Sequence, residues 1–299
     1  MQKNLREIGS YILFFDYNGN NHKFGGSFFP DVAVITGQIG GLGIPWQPLP
    51  RGQAVDSEEA ASQPPGLRGF GVMQVIAEVL HQNPGRFAVE LGIDLRSGPE
   101  ARQRWFLAAI LYGARISGQL AARTYQVFAA QGIYAPVAIL AQGWDNLVVL
   151  LDEGGYARYD FKTATKLIRV MTALKEQYQG SLERLHDLSR SYADLESRLL
   201  GLGAGIGPIT VNIFLRELRG IWAQATPPLS PLAQRAGERL GLFPPGLTPE
   251  AALKALTLAW QAQPVPGYDL ADLEAALVRL GLSFRRRRKP AGESRTQRL

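Results

Sequence analysis

The chain of 299 residues contains no cysteine. Disulfides, thiolate zinc sites and cysteine-ligated iron–sulfur clusters are thereby excluded. Its 3 histidines, His22, His81 and His186, lie far apart and form no ligand motif. Each is read as a surface or lightly buried side chain, so neither metal nor cofactor is expected. No apolar run approaches the ~20 residues that span a bilayer, and nothing has the layout of a cleavable signal peptide. No membrane association is expected, and the expected compartment is cytoplasmic. A net excess of charge is also missing from most of the chain. There are 32 lysines and arginines against 26 acids, but seven of those cations and only Glu293 fall in residues 285–299. The rest is balanced, 25 against 25. Arg285, Arg286, Arg287, Arg288 and Lys289 therefore form a basic tail, read as disordered and able to bind any polyanion. Attraction of an anion by the body requires a local patch.

With 46% hydrophobic residues the chain can bury a full core. The most informative stretch is 195–222, LESRLLGLGAGIGPITVNIFLRELRGIW. It predicts a short helix, a glycine-rich hairpin and a longer helix. Gly201, Gly203, Gly205 and Gly207 alternate with Leu202, Ala204 and Ile206, a spacing that permits positive φ and close approach to the backbone. Pro208 suits the first helical position, where a missing N–H costs nothing. Val211, Phe214, Leu215, Leu218 and Trp222 then follow one apolar face. Asn212, Arg216 and Arg219 lie off that stripe and are expected to face solvent. A helix N-terminus behind a glycine turn offers free N–H groups to an anion. It is not a P-loop, because no Lys-Ser/Thr follows and no strand precedes it.

The remaining segments divide into an irregular beginning and a helical body. Residues 1–72 carry a possible hairpin, Asn18-Gly19 between Tyr11–Phe15 and Phe24–Phe29, followed by Gly/Pro/Ser/Ala-rich sequence without periodicity. Met73 opens the first convincing helix, which leaves residues 1–72 open to being an upstream extension of the reading frame. Helices are predicted over Met73–His81, Pro99–Ala114, Gln119–Gln131, Ala135–Gln142, Asp145–Leu151, Phe161–Gln177, Leu182–Leu188, Tyr192–Leu200, Leu229–Leu240, Pro249–Gln261 and Leu270–Leu280. Asp160, Thr248 and Asp269 are the proposed caps of three of them. The fold class is all-α, with a domain at 73–245, C-terminal helices at 246–284 and the basic tail after them.

In that order of parts, Trp105–Phe128, Gly154–Leu174 and Leu195–Trp222 resemble the endonuclease III-like superfamily of DNA glycosylases, the helix-hairpin-helix group with a Gly/Pro-rich loop and an aspartate. The most specific stretch is Gly205-Ile206-Gly207-Pro208-Ile209-Thr210-Val211-Asn212. The resemblance implies two helical lobes, double-stranded DNA as the partner, base excision repair as the setting, and a damaged base rotated into the groove between the lobes. It also implies that Gly203, Gly205, Gly207 and Thr210 hold a backbone phosphate, with Ile206 as the buried plug. Asn212, Arg216, Arg219 and Arg115 are the further expected DNA contacts.

Two departures stand out. Bifunctional members carry a nucleophilic lysine two residues beyond the hairpin's last glycine, and here that position is Ile209, which cannot form a Schiff base. The family's aspartate belongs in 223–230, and AQATPPLS contains no acid. Asp160, Asp145 and Lys162 are the substitutes the sequence offers for catalysis, against a plain reading of Asp160 as a helix cap and Lys162 as a solvated side chain. Arg115 equally suits an ion pair with Asp145 or Glu153. Three functions stay open: a glycosylase with relocated acid chemistry, a non-catalytic DNA binder on the same scaffold, and a helical interaction module whose hairpin only packs. The last would leave Gly203–Gly207 covered by protein.

Overall fold

The computed structural model describes residues 14–15, 21–22, 72–114 and 116–287. The chain divides into two units, Met1–Glu59 and Ala60–Leu299. In the first, β1 (Phe14–Phe15) pairs antiparallel with β2 (Asn21–His22), in register Phe14 with His22 and Phe15 with Asn21. The expected turn at Asn18-Gly19 and the expected strand Phe24–Phe29 lie outside the described residues. The Gly/Pro-rich sequence up to residue 71 lies outside the described residues.

Among its described residues the second unit is all-α. Its helices are α1 (Val72–Gln82), α2 (Phe87–Glu90), α3 (Pro99–Tyr112), α4 (Gly118–Ala130), α5 (Pro136–Glu153), α6 (Asp160–Tyr178), α7 (Leu182–Asp187), α8 (Tyr192–Leu200), α9 (Pro208–Arg216), α10 (Pro231–Arg239), α11 (Pro249–Ala262) and α12 (Leu270–Arg287). Local chemistry sets most of the starts. Proline opens α3, α5, α9, α10 and α11, while Ser117, Ser181, Ser191, Ser230 and Thr248 each accept the N–H three residues on. Asp269 caps α12 through Ala271 and Asp272, and the Asp272 carboxylate returns a bond to the Asp269 N–H, a reciprocal capping box. Gly143 interrupts α5 with φ 69° and ψ 174°, so the two helices expected on either side of it are real, joined in one kinked element. Asp160 is at the first position of α6 and not its cap; its Oδ1 accepts only the neighbouring Phe161 N–H, at 2.7 Å. The last helix also runs on to Arg287, so the basic run starts inside α12 and not after it.

Two hydrophobic cores form. One gathers α2 to α9 and the segment after α9 around α3, whose residues Trp105 to Leu111 are all buried. The other gathers α1 with α10, α11 and α12. This second lobe begins at Leu229, earlier than the boundary near 245 expected from sequence, and it recruits α1 from the other end of the unit.

Buried charge braces the first lobe and ties it to the second. Glu217, fully buried, accepts the N–H groups of Phe87 and Ala88 at 3.0 and 2.8 Å, which closes the start of α2. Burial pushes its carboxyl above the ordinary range. Arg86 donates to the Glu217 carbonyl at 2.8 Å and pairs with Asp269 and Asp272. Arg219 meets Glu274 at 2.6 Å with both side chains buried, and its guanidinium also donates to the Pro227 carbonyl.

Candidate nucleic-acid interface

Gly203 and Gly205 both have positive φ, +145° and +110°, which turns the chain back from α8 towards α9. Ile206 is buried beneath that turn as expected, and the Ile206 N–H closes it on the Gly203 carbonyl at 3.1 Å. The amide N–H groups of Gly205, Gly207, Ile209 and Thr210 meet no acceptor among the described residues. Ala204 and Gly205 are exposed, so the outer face of the hairpin is not covered by the body. The start of α9 is held against the end of α3 by a close approach: a Cβ on Gly113 would come within 2.1 Å of the Thr210 Oγ1.

A groove of about 390 Å³ opens between this hairpin, the end of α3 and the first half of α6. Lys162, Lys166 and Arg169 line it at i, i+4 and i+7 of α6, one face of the helix. Tyr159, Thr163 and Thr165 complete that wall, with Gly113 and Ala114 opposite and Ala204 and Gly205 at the hairpin. No carboxylate lines it. Lys166 is half-buried against Gly205, and burial alone pushes its amine below the ordinary lysine value. An anion entering this groove therefore meets three cations and the hairpin backbone at Gly205, with the further free N–H groups of Gly207, Ile209 and Thr210 following at the start of α9.

The residues singled out from sequence divide sharply here. Gly203, Gly205, Ile206 and Gly207 build the hairpin as expected, and Lys162 lines the groove. Thr210 is buried, and its hydroxyl faces Gly113, so only its N–H is offered. Asn212 donates to the Pro228 carbonyl at 2.8 Å and ties α9 to the Pro-Pro segment, so its amide is engaged within the protein.

Arg216 and Arg219 are corrections. Both are buried, at 7% exposure, because neighbouring elements close over positions that a single-helix pattern assigns to solvent: α2 at Arg216 and α12 at Arg219, which lies beyond the end of α9. Arg216 sits over the Phe87 ring at 5.0 Å, and Arg219 is committed to Glu274. Helix α9 itself ends at Arg216; the apolar stripe continues to Trp222 through turns. Asp145, exposed on α5, and Asp160 do not line the groove. Arg115, Arg288 and Lys289 lie outside the described residues, and Arg285, Arg286 and Arg287 are described only as part of α12.

Arg169 was missed by the sequence reading. Its signal was available as the 162, 166, 169 spacing of cations beside the buried stripe of Leu167, Val170 and Leu174. What the pattern does not supply is which neighbour that face meets. Ile209, in place of the expected lysine, is 71% exposed at the tip of α9. Among the described residues no group of three His, Asp or Glu side chains is arranged to hold a metal ion, and no helix is long and apolar enough to cross a membrane.

No protein-family model matches this chain, and comparison with curated proteins also finds no match.

Proposed function

We propose that this protein binds nucleic acid, with duplex DNA held by a backbone phosphate on the 203–210 hairpin and by Lys162, Lys166 and Arg169 along the groove. It would do so on a helix-hairpin-helix scaffold of the DNA glycosylase type, in the setting of base excision repair. The observation that carries this reading is that three cations and the exposed hairpin, with the unused N–H of Gly205 at its tip, line one groove, and no carboxylate is among its described lining residues. The exposed hairpin speaks against a module whose glycines only pack. Acid chemistry is not part of the reading, because the carboxylates singled out from sequence, Asp145 and Asp160, do not line the groove.

The test is a titration of duplex DNA against wild type and Lys162→Ala, Lys166→Ala and Arg169→Ala, each at several salt concentrations. Every lost phosphate contact lowers the slope of log affinity on log salt by about 0.9. Slopes and affinities identical to wild type in all three variants would remove the groove from DNA binding.

A second reading is favoured by one observation, the desolvated Lys166 amine beside the hairpin. Burial favours the neutral form of this amine, and a neutral amine can attack the aldehyde of an open-chain abasic sugar, lose water and form an imine. Borohydride would reduce that imine to a stable adduct. Adduct formation on abasic DNA that disappears in Lys166→Ala and persists in Lys162→Ala would establish it; no adduct with wild type rejects it.

A further inference from the structure

We infer that the rim of this groove carries a stacking platform for an unpaired base, formed by Trp144 and Phe161, which makes a single-stranded stretch the preferred substrate within the nucleic-acid reading on which this rests. Trp144 opens the second half of α5, immediately after the break at Gly143. Phe161 is at the second position of α6. Their ring centroids are 5.2 Å apart at an interplanar angle of 42°. Both are left open to solution, Trp144 at 38% exposure and Phe161 at 59%.

The pair is fixed in place and fixed to the groove. The indole Nε1 donates to the Thr165 Oγ1 at 3.0 Å, and that hydroxyl donates in turn to the Phe161 carbonyl at 2.9 Å. The polar atom of the indole is therefore engaged within the protein, and what the side chain offers outward is its aromatic surface. Thr165 itself lines the groove, as does Lys162, next in sequence to Phe161. Aromatic surface and cations are thus continuous over one turn of α6. Stacked aromatics beside a cationic track are how proteins hold single strands: the charges follow the phosphates, and the rings take bases of any sequence. A fully paired duplex keeps its bases in the stack and has none to offer. The chemistry of the occupant is therefore a strand with at least one unpaired base next to its phosphates.

The experiment compares a short single-stranded oligothymidine with an abasic strand of equal length and charge, using the full chain and its Phe161→Ala variant. Phe161 is mainly exposed, so its truncation leaves the fold in place, which a matching thermal unfolding curve verifies. Wild type is expected to prefer the base-bearing strand by roughly tenfold, the scale of one base–aromatic stack. Phe161→Ala should lose that preference while keeping its affinity for the abasic strand, and Phe161→Tyr should restore it. Equal wild-type affinity for the two strands, or a preference that survives Phe161→Ala, overturns the platform and leaves the phosphate groove standing. Failure to bind either strand or duplex overturns the groove and the platform together.

Discussion

Gly205 and Lys166 compete for one space: a Cβ on Gly205 would come within 2.8 Å of the lysine Cε and 3.0 Å of its Cγ. The bare glycine is what lets the lysine stem lie along the hairpin with its amine at the groove. The same contact separates two glycines that look equivalent in sequence. Gly207 has φ −112° and open space around its missing Cβ.

Gly207→Ala is therefore expected to fold as wild type and to weaken duplex binding, because the added methyl stands where a phosphate would approach the free N–H groups. Gly205→Ala carries the strain of φ +110° as well as the lysine clash, and is expected to lose about 1–3 kcal/mol of stability. Thermal unfolding paired with a binding titration distinguishes the two. Unaltered affinity in Gly207→Ala would show that phosphate does not approach there.

Lys166 gives a prediction in pH. Its folded pKa lies below the ordinary 10.5, so between the two values the unfolded chain binds more protons than the folded one. Stability must then rise with pH across that window, as the cost of burying the charge is relieved. Lys166→Met keeps much of the stem and removes the charge. It is expected to be more stable than wild type at neutral pH and to flatten the rise on the alkaline side. Melting temperatures at several pH values check this; a variant less stable than wild type at neutral pH contradicts it.

The pair Arg219–Glu274 should behave as a buried ion pair and not as a DNA contact. Arg219→Met alone leaves Glu274 buried without its partner and is expected to cost about 3–5 kcal/mol. Arg219→Met combined with Glu274→Leu should recover most of that loss. Denaturant unfolding of the two single variants and the double variant measures the coupling. Additive losses would mean that the two side chains act independently.

For the carboxylates off the groove, Asp145→Asn and Asp160→Asn are expected to leave both folding and DNA affinity within error of wild type. Asparagine keeps the acceptor that Asp160 offers to the Phe161 N–H. A fall in base release from lesion-bearing duplexes in either variant, at unchanged melting temperature, would return acid chemistry to the protein.

Removal of residues 288–299, which takes away Arg288, Lys289, Arg295 and Arg298 against Glu293, is expected to flatten the salt dependence of binding and to leave the preference for unpaired bases intact. Cutting at 285 instead would shorten α12 and confound charge with structure. Loss of the preference on truncation would place base recognition in the tail.

Much of this architecture was legible because it is local. Proline and Ser/Thr at helix starts, the break at Gly143, the buried Ile206 and the Asp269 cap all follow from a few neighbouring residues. Arg216 and Arg219 were not legible, since a single helix shows which side is apolar but not whether neighbouring elements cover the other side. The groove was half legible. The hairpin announced an anion site, whereas the cations that complete it come from α6, about forty residues earlier, and only packing brings their face to Gly205. Asp160 was misread for the opposite reason: a residue suited to capping sits one position too late to cap.

The composition of the second lobe has a consequence for how the chain acquires its shape. The first core is continuous in sequence, from Ala88 to Ala225, so its contacts are available as soon as that stretch exists. Helix α1 precedes it, yet the partners of Ile76, Val79 and Leu80 are found at Leu229 and beyond. During synthesis α1 must therefore wait, its apolar side unsatisfied, until nearly all of the remaining unit has emerged. The entropy of closing so long a loop grows only logarithmically with its length, and the prior folding of the intervening lobe shortens the effective distance further. Helix α1 packs on α12, and the contacts of Arg86 with Asp269 and Asp272 lie at that same meeting of early and late segments, so the second lobe and this junction both require the last helix of the unit.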